Sequence, residues 1–92
     1  MDAERLDAAL ADAFDADAGE RRAVVRGVCD LADSGRLRAD RGTPVTVETV
    51  IAELGDAPEG TSLATRWNWW LGALDLAYGG DYVEFRVRRY ED

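Results

Sequence analysis

The side chains that most often carry out catalysis are scarce in this 92-residue chain. It has no histidine, so it can build no imidazole base, no Ser-His-Asp relay and no imidazole metal ligand. All eleven basic residues are arginine. Without lysine there is no Schiff base and no Walker-type phosphate loop. Cys29 is the one cysteine; it has no imidazole to activate it and no partner for an internal disulfide. Its place in an apolar helical pattern marks it as a small core residue. Asp15/Asp17 and Glu91/Asp92 would hold a hard cation only weakly and read as solvated charge. Gly79 and Gly80 close a helix rather than open one, so they do not cradle a phosphate. The expectation is a non-enzyme with no cofactor, no metal and no specific small-molecule ligand.

What the chain does offer is recognition chemistry. Arginine grips phosphate and carboxylate bidentately and reads guanine edges. Six arginines fall within residues 21–41 against Asp30, Asp33 and Asp40, a local charge of +3 in a chain of net charge -8. Three more, Arg86, Arg88 and Arg89, lie near the end. The three tryptophans, Trp67, Trp69 and Trp70, are confined to one tetrapeptide. Indole rings are enriched at the centres of protein interfaces and also stack on nucleic-acid bases.

The acidic excess itself points to a solvent. In dilute buffer such a domain repels itself. In about 1 M salt the screening length falls to about 3 Å and the repulsion fades. Asp-rich, Ala-rich and free of lysine, the composition resembles that of cytoplasmic proteins of salt-loving archaea. A GC-rich genome would favour many of the same residues. With 47% hydrophobic residues the chain is expected to fold as one domain over 1–92. No apolar run approaches the roughly 18 residues of a membrane helix, and no signal peptide is evident. A cytoplasmic location away from membranes is expected.

Four helices are expected to position these groups. The first runs from Asp2 to Ala18, with Leu6, Leu10 and Phe14 on one stripe and Gly19 as its end. Residues 1–20 hold one arginine against seven acids, so this helix should fray first at low salt. A second runs from Glu20 to Ser34 and closes at Gly35; Val24, Val28 and Leu31 face the core, and Arg22 and Arg26 face water. Arg36 to Val45 is a connector that Pro44 keeps from being helical at Thr43, with room for a short strand. Thr46 caps a third helix, Val47 to Leu54, ended by Gly55. Thr61 or Ser62 caps a fourth, reaching Tyr78. Clean alternation from Tyr82 to Tyr90 reads as a strand. It would pair with the connector or with a second chain. The fold class is therefore mainly α with a small β component.

At about 100° per residue, Leu63, Trp67, Trp70, Leu71, Leu74 and Tyr78 make one apolar face of the fourth helix. Trp69, Ala73 and Leu76 make a second. A helix this apolar around its girth is central. The second strip must meet the first helix, a protein partner such as a second copy, or a nucleic-acid base.

TPVTVETVIAEL, TSLATRWNWWLGALDLAYGG and YVEFRVRRY, taken in order, resemble a winged helix-turn-helix domain over roughly residues 20–90. With the composition, they resemble small winged-helix-like proteins of haloarchaea. The resemblance makes the third and fourth helices the helix-turn-helix pair and Tyr82–Tyr90 the start, or the replacement, of the wing. It implies DNA binding, through Thr65, Arg66 and Asn68 on the fourth helix, Arg36, Arg38 and Arg41 in the connector, and Arg86, Arg88 and Arg89 on the strand. Two functions are thus expected in competition: an interaction or regulatory module binding through Trp69, Ala73 and Leu76, and a DNA-binding regulator.

Overall fold

The computed structural model describes residues 1–88. It is built of α1 (Ala3–Ala13), α2 (Ala18–Ser34), α3 (Arg36–Arg41), α4 (Val47–Gly55) and α5 (Leu63–Tyr78), followed by a 3-10 turn over Tyr82–Phe85. Four helices begin at a side-chain cap. Asp2, Asp17, Thr46 and Ser62 each accept a hydrogen bond from the backbone N–H three residues on. Each satisfies a donor the helix cannot, which contributes typically about 1 kcal/mol.

The helix α5 sits at the centre, packed on α2, α4 and the 3-10 turn, while α1 lies across α2 and α4. Leu6 and Leu10 from α1, Val24, Val28 and Leu31 from α2, and Val50 and Leu54 from α4 close on Leu63, Trp67, Trp70 and Leu71 of α5. Trp67 and Trp70 meet edge to face at 5.7 Å. Rings of this size carry much of the burial energy of a small core.

The N-terminal end of α5 is tied to α2 by a buried carboxylate. Glu20 is 6% exposed, and its Oε2 accepts from the Ala64 amide at 2.8 Å. A negative charge there meets both an unsatisfied donor and the positive end of the helix dipole. Arg66 does the matching work for α4. Its guanidinium donates to the carbonyls of Leu54 and Ala57 and its Nε to that of Thr61, and it lies 5.1 Å over the Phe14 ring.

Three expectations are corrected. The first concerns the break between α1 and α2. It falls at Phe14–Asp17 rather than at Gly19, because Asp17 caps α2 through the Glu20 amide and Gly19 is buried inside the new helix. The second concerns the connector. Arg36–Arg41 is helical, seated between Gly35 (φ +69°) and Gly42 (φ +78°), and Leu37 is 1% exposed. The left-handed glycines let the chain turn sharply at both ends. Pro44 acts only beyond them.

The third correction is the fold class itself. The regular elements of the described residues are all helices and include no strand, so the small β component and the winged-helix architecture are both overturned. With the connector coiled into α3, residues 82–88 have no strand to pair with. Tyr82, expected on the outer face of a strand, is buried (1% exposed), and its hydroxyl donates to Asp40 at 2.7 Å. The backbone is satisfied by other means, as a packed segment requires. Arg86 N bonds to Val83 O. Tyr82 N donates to Asp75, and Trp67 Nε1 donates to Phe85 O at 2.9 Å. Arg89 and Tyr90 lie outside the described residues.

Candidate functional site

The tetrapeptide Trp67-Asn68-Trp69-Trp70 occupies one turn of α5, and its four side chains diverge. Trp67 (0% exposed) and Trp70 (2%) enter the core. Asn68 grips the C-terminal segment. Its Nδ2 donates to Val87 O at 2.9 Å and its Oδ1 accepts from Val87 N at 2.8 Å. The side-chain amide thus takes the place of a neighbouring strand, offering Val87 the donor and acceptor a ladder would supply. Trp69 is left on the outside, 41% exposed.

Trp69 has company there. Thr65, Gly72, Ala73 and Leu76 are also exposed on α5, and Leu76 is 92% exposed. At 100° per residue these five positions fall on one stripe opposite the buried face. The candidate residues Trp69, Ala73 and Leu76 are therefore brought together. The first helix does not cover them: Leu6 and Leu10 are spent in the core and Phe14 on Arg66.

This stripe carries no charge. The two charged side chains of α5 are both turned to internal partners, Arg66 to the carbonyls already named and Asp75 to the Tyr82 amide. In a chain that is one-third charged residues, a solvent-facing helical stripe without any is the reverse of the usual amphipathic pattern.

Most of the residues expected to touch DNA are engaged with partners inside the molecule. Arg36 pairs with Asp81 at 3.0 Å and Arg41 with Glu53 at 3.3 Å. Arg66 points inward, Asn68 holds Val87, and Thr65 Oγ1 accepts from the Ser62 hydroxyl. Arg38 is exposed, and Arg89 is outside the described residues. Arg86 and Arg88 do meet other arginines, but from α2. Together with Arg22 and Arg26 they line a groove of about 630 Å³. From the sequence, Arg22 and Arg26 are simply solvent-facing; the one signal for them is the +3 charge of residues 21–41 as a whole.

Among the described residues no group of three or more acidic, cysteine or histidine side chains is placed to hold a metal ion. Asp17 is engaged in capping, and Glu91/Asp92 fall outside the described residues. Cys29 is half-buried. Burial, the chief cause, pushes its thiol up, with Asp33 and Asp30 adding to the effect against the N-terminal ammonium. That opposes the thiolate a nucleophile needs. No described helix is long and apolar enough to cross a membrane.

The family model of the WNWW domain matches residues 1–75. No curated protein and no solved structure matches the chain. The matched span takes in α1 to α4 and most of α5, including Trp67-Asn68-Trp69-Trp70, which spells the family's name in residues. The chain belongs to the WNWW domain family.

Proposed function

We propose that this WNWW domain is a non-catalytic interaction module that docks through the outer stripe of α5, and that the occupant is a second copy of the chain. The carrying observation is the exposed, charge-free stripe of Trp69, Gly72, Ala73 and Leu76 on a protein of net charge -8. Two such acidic bodies approach most easily where neither presents a charge.

The spacing of the stripe is self-complementary. Lay two copies of α5 antiparallel with Gly72 against the partner's Ala73. Trp69 then faces the partner's Leu76, and Leu76 faces the partner's Trp69. Small residues at the crossing let the axes approach to about 8 Å, the close end of helix packing. The large residues flank the crossing on both sides, as a two-fold interface requires. One helix pair is a small interface, under about 1,200 Å² in total, so the dimer should be weak, with a dissociation constant on the order of micromolar or above.

The working medium in this reading is concentrated salt, in which the acidic surface is screened and apolar contact strengthened. Sedimentation equilibrium in molar KCl tests the docking. The wild type should show a concentration-dependent monomer–dimer equilibrium. Leu76→Arg should be monomeric while keeping its melting temperature at dilution, since that side chain is almost fully exposed. A wild type that stays strictly monomeric up to about 1 mM would overturn the proposal.

A further inference from the structure

Four guanidiniums that no carboxylate holds surround one groove. Among the described residues, Arg5, Arg21, Arg36 and Arg41 are each within ion-pair distance of an acid, and Arg66 is committed to backbone carbonyls. Arg22, Arg26, Arg38, Arg86 and Arg88 make no such pair. All but Arg38 line the space between α2 and the segment after the 3-10 turn. In a protein with nineteen carboxylates, this segregation sets the groove apart from an ordinary solvated surface.

The array is ordered by its backbone. Arg22 and Arg26 are one turn apart on the same face of α2. On the other wall the chain is extended at Arg86, and Val87 packs against the core while Arg86 and Arg88 are exposed. Two residues apart in extended chain, they lie to one side, roughly 6.6 Å from each other along the backbone. Both walls are held. Asn68 clamps Val87, and Trp67 holds Phe85 O. Gly27 lets the segment lie so close that an added Cβ would come within 3.1 Å of that carbonyl.

Asp30 and Glu84 also line the groove and leave it a charge of +2. A single carboxylate does not balance that. A compact ligand with two or more closely spaced negative charges does, and the planar arginine fork binds phosphate oxygens in pairs.

We propose that this groove binds a phosphate chain, either a free polyphosphate group such as a triphosphate or the phosphodiester backbone of a single-stranded nucleic acid. The site is separate from the α5 stripe, and its occupancy does not depend on dimer formation.

Isothermal titration of the full chain with inorganic triphosphate and with a thymidine oligonucleotide, each at 0.1 M and at 1 M KCl, tests this. At least one should bind, more weakly at the higher salt. Tighter binding of triphosphate marks a free polyphosphate as the ligand; tighter binding of the oligonucleotide marks a nucleic-acid backbone. Arg22→Gln and Arg86→Gln should each weaken binding about tenfold, the loss of one charge-assisted contact. Arg38→Gln, equal in charge change and not among the residues that line the groove, should leave it unaltered. Failure of both probes to bind would overturn the proposal. So would an equal loss in Arg38→Gln, or tighter binding of an oligoglutamate peptide than of either phosphate ligand. Because all three variants alter exposed side chains, near-native melting temperatures should accompany them.

Discussion

Replacing Gly27 by alanine sets two effects of opposite sign against each other. Gly27 lies in the interior of α2, where alanine is intrinsically better by about 0.5–1 kcal/mol. On propensity alone, Gly27→Ala would stabilise. The packing says otherwise. A Cβ at this position would stand 2.9 Å from Trp67 Nε1, 3.1 Å from Phe85 O and 3.2 Å from Trp67 Cε2. The indole is wholly buried and cannot swing away, and the carbonyl belongs to backbone clamped on both sides of it. Overpacking of this kind typically costs about 1–3 kcal/mol. Displacing the indole also strains the Trp67–Phe85 hydrogen bond, itself worth about 1 kcal/mol. The net expectation is a loss of about 1–3 kcal/mol. At about 4–8 °C per kcal/mol for a domain of this size, the melting temperature should fall by roughly 5–20 °C. Gly72→Ala is the matched control, since a Cβ there meets nothing within 4 Å and should stabilise the dilute monomer by about 0.5–1 kcal/mol. Thermal melts by circular dichroism at a few micromolar protein would read both. If Gly27→Ala melts at or above the wild type, the close approach of the C-terminal segment to α2 is wrong.

Three further perturbations probe the rest of the fold. Glu20→Ala should cost about 2 kcal/mol by denaturant titration, because it strips the buried α5 N-terminus of its acceptor at Ala64; an unchanged midpoint would refute that role. Burial, with the hydrogen bond to Asp40 second, holds the Tyr82 hydroxyl above its usual value near 10. Its neutral form therefore favours the folded state, giving stability that is complete below pH 10 and lost as pH rises beyond it. Tyr82→Phe should accordingly flatten the fall in stability above pH 10, and an identical alkaline profile would refute it. Raising KCl from 0.1 M to 2 M should raise the melting temperature of the wild type, with the acidic α1 region gaining amide-exchange protection first. A flat salt dependence would remove the reason for placing this protein in concentrated salt.

How legible the chain was depended on how local each signal is. Thr46 and Ser62 announced α4 and α5, because a cap needs only a hydroxyl and an amide three residues on. The apolar stripes of α2 and α5 were equally plain. The break after Phe14 was less so: Asp15 and Asp17 read as solvated charge, whereas Asp17 is the cap that starts the next helix. In the connector, attention to Pro44 hid a run, Arg-Leu-Arg-Ala-Asp-Arg, made mostly of good helix formers and bounded by glycines. For the C-terminal segment the alternation was real and its meaning was not. Val87 does turn inward between two exposed arginines, but an asparagine side chain and a tryptophan, not a sheet, satisfy the chain around it.

Propensity, capping and periodicity act within a few residues, so an arginine-only, acidic, capped set of helices around a tryptophan-rich segment was readable from residue order alone. That order also showed that α5 has more apolar surface than one core needs. It took the packing of the whole chain to leave Trp69 and Leu76 uncovered by α1, to pair Arg36 and Arg41 with acids, and to set Arg22 and Arg26 opposite Arg86 and Arg88. Those outcomes depend on which residues meet across separations that run from twelve positions (Arg41 and Glu53) to more than sixty (Arg22 and Arg86). Such meetings are settled by competition among all the packing choices at once, and no local pattern records the winner.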